Sequence, residues 1–197
     1  MGDSFISRKD RIIASAIEII SDSGLSALTT RNLALKENMS EALLYKYFGG
    51  INEVLIEVVD YYSQFDNGIR QTVKSKEGSY MQKLWDYLEA YATYYDNYYA
   101  ISTLMLQYEE LLHNIDTREK IAWCITERLN FLEDIFSGAI KEKEIVDRFT
   151  PKELANNITG VVMAYILSRR ITYHKKSFKQ EFMDYISKWT EMLKKED

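Results

Sequence analysis

Apolar positions recur every three or four residues through most of this sequence, which is the spacing of one buried face on an α-helix. Near the start of the chain, a helix that begins after Ser7 has its apolar face on Ile13, Ala16, Ile17 and Ile20. No segment alternates apolar and polar residues over a useful strand length. The sequence therefore predicts an all-α protein with about nine helices.

Hydroxyl residues mark several predicted helix starts, because a side-chain oxygen there can accept from amides that the first turn leaves unpaired. Ser79 and Ser177 are each followed three residues later by glutamine, and Thr150 by glutamate, which is the form of a capping box. Asn67 and Gly68 are expected to break the chain after an earlier helix. The predicted helices after the first fifty residues are 52–65, 79–95, 98–112, 117–143, 151–174 and 178–195.

Two short helices are predicted between residues 28 and 48, each preceded by a hydroxyl residue that can cap it. Thr29 can cap the first helix and Ser40 the second. Asn38, in the turn between them, tolerates a left-handed backbone. Two helices joined by so short a connection form a helix-turn-helix, whose second helix can enter the major groove of DNA.

This segment resembles the TetR family of one-component transcriptional regulators. The resemblance lies in the spacing of Thr-Thr-Arg-x-Leu-Ala at 29–34, then Ser40, then Leu-Tyr-x-Tyr-Phe at 44–48. With the helix before it and the start of the helix after it, the resemblance covers about residues 8–58.

The resemblance implies a fold and a division of the chain. It implies an N-terminal three-helix head with the helix-turn-helix at residues 1–50, followed by a larger helical ligand-binding and dimerisation domain at residues 51–197. Two positions depart from the family pattern: Ile51 stands where a lysine is common, and Asn38 where a glycine is common in the turn. The first removes an expected phosphate-binding cation, whereas asparagine serves similar turns.

DNA contacts are predicted from residue chemistry and from the resemblance together. Arg31 lies at a helix N-terminus, where free amides attract phosphate, and its side chain can reach a phosphate or a guanine edge. The first residues of the second helix would face base edges, while the resemblance implies that the residues after them clamp the backbone. The predicted DNA-binding residues are Thr29, Thr30, Arg31, Ser40, Glu41, Ala42, Leu43, Tyr45, Lys46 and Tyr47. Leu44 and Phe48 are predicted to be core.

The net charge of −5 lies entirely after the head. Residues 1–50 carry six basic and six acidic side chains, so the head itself is neutral. Placement of cations matters more than their total. The neutral head and Ile51 together leave an alternative open: a helical small-molecule or protein-binding module whose DNA-binding head has lapsed.

Aromatic residues crowd residues 80–99, and many of them are tyrosines on one helical stripe. Each buried tyrosine hydroxyl needs a hydrogen-bond partner, so such a stripe is suited to a cavity with polar groups as well as to plain core packing. The resemblance implies a ligand cavity, and we expect an apolar or aromatic small-molecule effector in it. The predicted ligand-binding residues are Tyr87, Tyr91, Tyr94, Tyr95, Tyr98, Met105, Tyr108 and Trp123.

Small residues follow one face of the predicted 151–174 helix, at Asn157, Gly160, Ala164 and Ser168. A glycine inside a helix is unfavourable, so close approach of another helix is a plausible reason for it. The resemblance implies that the last two helices pair with their copies in a homodimer. Packing within one chain is the alternative.

No site for catalysis or metal binding is predicted, and no cofactor. His113 and His174 are far apart, Cys124 is solitary, and the sequence contains no glycine-rich phosphate loop. A single cysteine fits a reducing cytoplasm, and the sequence shows neither a membrane span nor a signal-peptide pattern. An enzyme is the least favoured function class.

The predicted function is that of a ligand-responsive repressor acting as a homodimer on a palindromic double-stranded DNA operator. Control by a protein partner instead of a small molecule remains an alternative.

Overall fold

The computed structural model describes residues 7–172 and 176–194, and every regular element in these two ranges is helical. The all-α prediction is therefore confirmed. The ten α-helices are α1 (Arg8–Ser23), α2 (Thr30–Lys36), α3 (Glu41–Leu44), α4 (Ile51–Lys74), α5 (Tyr80–Asn97), α6 (Tyr99–Ser102), α7 (Tyr108–His113), α8 (Arg118–Lys141), α9 (Pro151–Ile171) and α10 (Phe178–Glu191). His174 lies outside the described residues.

One predicted helix is divided in the structure. The segment predicted as a helix over 98–112 contains α6, a 3-10 segment at Thr103–Gln107 and α7. A second 3-10 segment, Leu25–Ala27, follows the end of α1 at Gly24. The division of the predicted 98–112 helix into α6 and α7 accounts for the difference between about nine predicted helices and the ten α-helices described.

The helix starts follow the predicted hydroxyl caps. The side-chain oxygens of Ser79, Thr150 and Ser177 each accept a hydrogen bond from the backbone N–H three residues further on. Thr150 has the reciprocal bond of a capping box as well, because its backbone N–H donates to Glu153 Oε2 at 2.8 Å. At Ser79 the glutamine of the predicted capping box is engaged elsewhere: Gln82 Nε2 donates to Asp86 Oδ1 at 2.8 Å.

The predicted break at Asn67–Gly68 is wrong, because α4 runs without interruption through both residues. A glycine inside a helix costs about 1 kcal/mol relative to alanine, which is a small penalty in a helix that is packed on its neighbours. On either side of Gly68, the carboxylate of Asp66 and the guanidinium of Arg70 form a buried ion pair one helical turn apart. Tertiary burial therefore outweighs the local signal for a turn.

Two helical glycines are expected to respond in opposite directions to alanine. Gly68→Ala should raise the free energy of unfolding by about 0.5–1 kcal/mol, since an added Cβ meets nothing within 4 Å. Gly138→Ala should lower it by about 1–3 kcal/mol, because a Cβ there would lie 2.2 Å from Cε1 of Tyr80. Urea denaturation of both variants measures the difference, and an equal gain at both positions would show that the Tyr80 ring moves away freely.

Contacts between Cα atoms divide the chain into two compact units. The first comprises the described residues through Gln64 together with Ala100–Ala122, and the second comprises Phe65–Tyr99 and the described residues from Trp123 onward. Helices α4 and α8 contribute residues to both units. The division at residues 50 and 51 stays a prediction.

The core of the first unit supports the helix-turn-helix. The apolar face of α1 is buried at all four predicted positions, Ile13, Ala16, Ile17 and Ile20. Leu33 of α2 and Leu44 of α3 are buried as well, and Phe48 closes the core after α3. These three side chains hold both short helices against α1, because neither helix is long enough to be stable alone.

No helix in the described part of the chain has the length and hydropathy needed to cross a bilayer.

Candidate DNA-binding head and buried polar cluster

The helix-turn-helix is built from the predicted caps and turn. Thr29 Oγ1 accepts from the N–H of Asn32 at 3.1 Å, and Ser40 Oγ accepts from the N–H of Leu43 at 3.2 Å. Asn38 has φ of 51°, so the left-handed turn conformation expected of this asparagine is present. The starts of α2 and α3 are therefore fixed by local hydrogen bonds.

A carboxylate at the turn attaches the helix-turn-helix to α1. The Glu37 side chain is almost buried and accepts from the hydroxyl of Ser15 at 2.6 Å. On the same carboxylate, Arg11 Nη2 lies 3.4 Å from Oε2. A buried carboxylate needs such partners, so these bonds hold the turn in one position relative to α1.

Most of the predicted DNA-binding residues lie on the exposed surface of α2 and α3, or directly beside these helices. Thr30 and Leu43 are half-buried, and the others are exposed: Thr29, Arg31, Ser40, Glu41, Ala42, Tyr45, Lys46 and Tyr47. Leu44 and Phe48 are buried, which confirms them as core. The Thr30 hydroxyl donates to Glu41 Oε2 at 2.8 Å and thereby joins the starts of the two helices. DNA contact by the exposed residues stays a prediction.

Half of the basic side chains in the head are neutralised by carboxylates. Lys9 pairs with Glu57, Arg11 with Glu37, and Lys36 with Glu18 at 2.8 Å. Hydrogen bonds to these glutamates raise the pKa of the Lys9 and Lys36 ammonium groups. The remaining cations are available for another partner.

Arg8, Arg31 and Lys46 form no ion pair within residues 7–172 and 176–194. Arg31 belongs to α2, and Lys46 follows α3, so two of these cations belong to the helix-turn-helix itself. The net charge of the head is zero, but Arg31 and Lys46 place positive charge on the exposed side of the helix-turn-helix.

The predicted ligand-binding residues are divided between the two units. Met105 and Tyr108 belong to the first unit, where the hydroxyl of Tyr108 is hydrogen-bonded to that of Tyr62. In the second unit, Tyr98 is 60% exposed and Trp123 is 49% exposed. The buried members of the stripe on α5 are Tyr87, Tyr91, Tyr94 and Tyr95. A ligand-binding role for these residues stays a prediction.

The tyrosine stripe leads to a buried polar cluster that the sequence analysis did not identify. Asp66 accepts hydrogen bonds from Arg70 Nη1, from the Tyr91 hydroxyl at 2.8 Å and from Arg128 Nε at 3.1 Å. The Tyr95 hydroxyl donates to that of Tyr91 at 3.0 Å. Tyrosine hydroxyls along the stripe therefore take part in hydrogen bonds with one another and with the carboxylate of Asp66.

A signal for this cluster does exist in the sequence. On α4, Asp66 and Arg70 follow the buried residues Val59 and Tyr62 and precede Val73, all at helical spacing. Charged residues at positions that continue an apolar face are rarely buried unless they are paired. Their partner on α8, Arg128, is 62 residues from Asp66, so the pairing itself is not visible in the sequence.

Cys124 belongs to the same cluster and is held as a neutral thiol. Its Sγ lies 3.9 Å from Asp66 Oδ2. Burial raises the pKa of the Cys124 thiol to about 11, although the positive charge of Arg128 acts in the opposite direction. The thiolate is the reactive form of cysteine, so a thiol that stays neutral is unreactive. Cys124 is therefore suited to be a small buried hydrogen-bond donor to Asp66.

A second polar junction holds the end of α5 to the last two helices. Arg169 of α9 donates from Nη1 to the backbone oxygen of Tyr95 at 2.8 Å. Asp96 accepts from the Ser177 hydroxyl at 2.6 Å and from the N–H of Phe178 at 2.9 Å, at the start of α10. These bonds fix the positions of α9 and α10 within the second unit.

The predicted dimer-interface residues form an exposed face of α9. Asn157, Gly160, Ala164 and Ser168 are all exposed, and an added Cβ at Gly160 meets nothing within 4 Å. Two large apolar side chains continue the same face: Leu167, which is 49% exposed, and Ile171, which is 67% exposed. The described part of the chain does not cover this face, so packing among the described residues does not explain its small residues.

Within the described residues, no group of three or more histidine, cysteine, aspartate or glutamate side chains is arranged to hold a metal ion.

Residues 12–58 match the family model described as bacterial regulatory proteins, tetR family. This span contains most of α1, the helix-turn-helix and the beginning of α4. The sequence matches no curated protein.

Similar solved structures cover most of the chain. The ketosteroid transcriptional regulator KstR2 of Mycobacterium tuberculosis superposes with a TM-score of 0.87 at 14% identity, over 98% of both chains. The regulator FadR from Bacillus subtilis, in complex with stearoyl-CoA, has a TM-score of 0.70 at 19% identity, over 88% of this chain and 93% of that one. AibR, in complex with isovaleryl coenzyme A and operator DNA, has a TM-score of 0.71 at 19% identity, over 81% and 86%. At these identities the similarity is one of fold.

Proposed function

We propose that this chain is a regulator of the TetR family, a ligand-responsive repressor that binds a palindromic operator as a homodimer. The observation that carries the proposal is the exposed helix-turn-helix, on which Arg31 and Lys46 are free of ion pairs within the described residues. The protein would act in the cytoplasm, where bacterial DNA is found, and it would have no catalytic activity.

Each part of the head has a role in this proposal. The start of α3 would enter the major groove, with Glu41 near the base edges in a position fixed by Thr30. Arg31 and Lys46 would bind phosphates on either side of the groove, and the N-terminus of α2 offers free amides to the same backbone. The attachment of Glu37 to α1 supports this arrangement, since a recognition helix of four residues needs a rigid base.

Lys46→Ala is expected to weaken binding to all DNA sequences and to reduce its salt dependence. Each phosphate contact contributes close to 0.9 to the slope of log affinity against log salt, so the slope should fall by about that amount. Fluorescence anisotropy with a mixed-sequence duplex at several salt concentrations measures it. Lys36→Ala is the matched control, because Lys36 is already paired with Glu18 and should leave the slope nearly unchanged.

Glu41→Ala tests base readout in the same protein. Selection from a randomised duplex library should return a different preferred sequence for this variant, while its salt slope stays that of the wild type. If wild-type binding shows no salt dependence at all, the head does not bind DNA. The neutral charge of the head and Ile51 would then favour the alternative, a helical binding module whose DNA-binding head has lapsed.

Two proteins of similar fold support the proposed response to a small molecule. FadR from Bacillus subtilis was solved with stearoyl-CoA, and AibR with isovaleryl coenzyme A together with operator DNA. If an effector weakens operator binding by this chain, linkage requires that it bind less tightly to the operator complex by the same factor. Calorimetry with and without operator tests that reciprocity.

Homodimer formation is assigned to the exposed face of α9. An apolar face with Gly160 and Ala164 at its centre permits close approach of a second copy, and a two-fold axis would bring the same face of both copies together. The spacing of two heads then has to match operator half-sites about one helical turn of DNA apart.

A further inference from the structure

We propose that the second unit contains a binding site for a small organic cation, in a cavity between α5, α10 and the segment that joins α8 to α9. The cavity has a volume of about 450 Å³, which is typical of small-molecule sites. None of the residues predicted to bind the effector lines it, so it is separate from the tyrosine stripe. The inference goes beyond the proposed function, because this site can bind a ligand whether or not the head binds DNA.

The floor of the cavity is apolar. Leu84 of α5, Ile145 after α8 and Ile186 of α10 are buried and contribute to the lining. Met81 and Trp85 are half-buried and line the cavity from α5. Such a surface favours the hydrocarbon body of a ligand, because binding removes that body from water.

Trp85 is a lining residue whose side chain has unused binding capacity. Its ring forms no aromatic or cation–π contact with residues 7–172 and 176–194, and its indole N–H has no hydrogen-bond partner among them. The face of an indole attracts a cation more strongly than the other aromatic side chains do. Trp85 therefore offers a ligand both apolar surface and a place for positive charge.

The charged residues that line the cavity carry one net negative charge. Glu144 and Glu191 are acidic, and Lys194 is basic. Lys194 is already paired with Glu191, at a distance of 2.6 Å between Nζ and Oε1. Charge complementarity therefore favours a ligand with one positive charge over an anion.

Glu144 is held at the cavity by the start of α5. Its Oε1 accepts from the N–H of Tyr80 at 3.0 Å, and its Oε2 accepts from the N–H of Met81 at 2.8 Å. Lys143, with φ of 60°, forms the left-handed turn that precedes it. Each carboxylate oxygen has about two lone-pair sites, so Glu144 can accept from a ligand as well.

Helix dipoles do not cancel the negative charge of the lining. The start of α5 carries partial positive charge, which acts on Glu144. The end of α10 carries partial negative charge, and Ser187, Thr190 and Glu191 bring this end of the helix to the same cavity. The two dipoles act in opposite directions, so the side chains determine the sign.

A protonated amine on an aromatic or aliphatic body meets these conditions. Its ammonium group has three donors for a lining carboxylate, and its body can pack on Trp85 and on the apolar floor. A metal ion would leave that floor unused.

Thermal unfolding with three probes of similar shape tests the preference for positive charge. The cation 2-phenylethylammonium is expected to raise the melting temperature by about 2 °C or more at saturating concentration. The anion 3-phenylpropionate and the neutral 2-phenylethanol should give less than half of that shift. Equal shifts with all three probes, or no shift with the cation, would overturn the proposal.

Glu191→Gln and Lys194→Gln should change the affinity in opposite directions. Calorimetry should show 2-phenylethylammonium binding about threefold weaker to the first variant, which loses a negative charge, and about threefold tighter to the second, which loses a positive one. Both side chains are more than half exposed, so both variants should fold as the wild type does. Unchanged affinity in both variants, or a change of the same sign, would contradict the site.

Glu142→Gln and Lys188→Gln are the matched controls. Both residues are exposed and neither lines the cavity, although Glu142 is close in sequence to Glu144 and Lys188 to Glu191. They make the same chemical changes outside the site and should leave the affinity nearly unchanged. If they change it as much as the lining variants do, the cation responds to the net charge of the protein and not to this cavity.

Tryptophan fluorescence locates the bound cation. The chain has three tryptophans, and binding beside Trp85 should change the emission of the wild type but not that of Trp85→Phe. A change that persists in the variant would place the cation beside Trp123 or Trp189 and overturn the assignment. Operator binding is measured separately: a protein that binds DNA but no cation removes this inference alone, and one that binds the cation but no DNA removes only the proposed function.

Discussion

Asp66→Asn is expected to lower the free energy of unfolding by about 3–5 kcal/mol, the typical cost of removing one partner from a buried ion pair. The substitution preserves shape but leaves the guanidinium groups of Arg70 and Arg128 buried without their carboxylate. The hydroxyl of Tyr91 also loses a charged acceptor. Urea denaturation monitored by circular dichroism measures the change.

Asp86→Asn is the matched control for this experiment. Asp86 forms an ion pair with Lys76 at 2.7 Å, but the lysine is half exposed, and such a pair contributes about 0–1 kcal/mol. The two variants therefore make the same chemical change in a buried cluster and in a surface pair. A loss below about 1 kcal/mol for Asp66→Asn would mean that water reaches the cluster and screens its charges.

Gly160→Glu and Ala164→Glu are each expected to dissociate the proposed dimer. A closely packed face cannot accept the added volume or bury the charge, and in a two-fold interface each substitution occurs twice. A loss of about 3 kcal/mol corresponds to a dissociation constant more than about 100-fold higher. Sedimentation equilibrium over a range of protein concentrations measures it.

Gly68→Glu provides the control for dimer dissociation. Gly68 is also an exposed helical glycine around which an added Cβ meets nothing within 4 Å, so the same substitution tests charge and helix effects without the α9 face. This variant should remain dimeric. If both α9 variants sediment as wild type does, the interface lies on another surface, and the small residues of α9 need a different explanation.

The helix-turn-helix could be predicted because its signals are local. Thr29 and Ser40 each cap a helix through a bond to a backbone amide three residues away, and Asn38 adopts the left-handed turn for which its side chain is suited. The burial of Leu44 likewise follows from the helical spacing of apolar residues. Such features depend on neighbours in sequence, so a single sequence contains them.

The long-range polar contacts could not be predicted for the opposite reason. The break expected at Gly68 follows from a local preference, whereas the ion pair of Asp66 with Arg128 depends on α8, which lies far along the chain. The tyrosine stripe is visible in the sequence, but the sequence does not identify Asp66 as the acceptor of the hydrogen bond from the Tyr91 hydroxyl. Sequence periodicity indicates which residues face the interior, and it does not indicate which of them meet there.

The bonds at Asp96 have a consequence for the order in which the chain folds. Ser177 and Phe178 meet Asp96 across 81 and 82 residues of sequence, whereas the contact of Ser15 with Glu37 spans 22. Closing a longer loop costs more chain entropy, and such contacts form late. Because a ribosome releases the N-terminal end first, α1, α2 and α3 can assemble while α10 is still being synthesised. The nascent chain would thus complete its head before it has the helices assigned to self-association, which favours the pairing of chains whose heads are already formed.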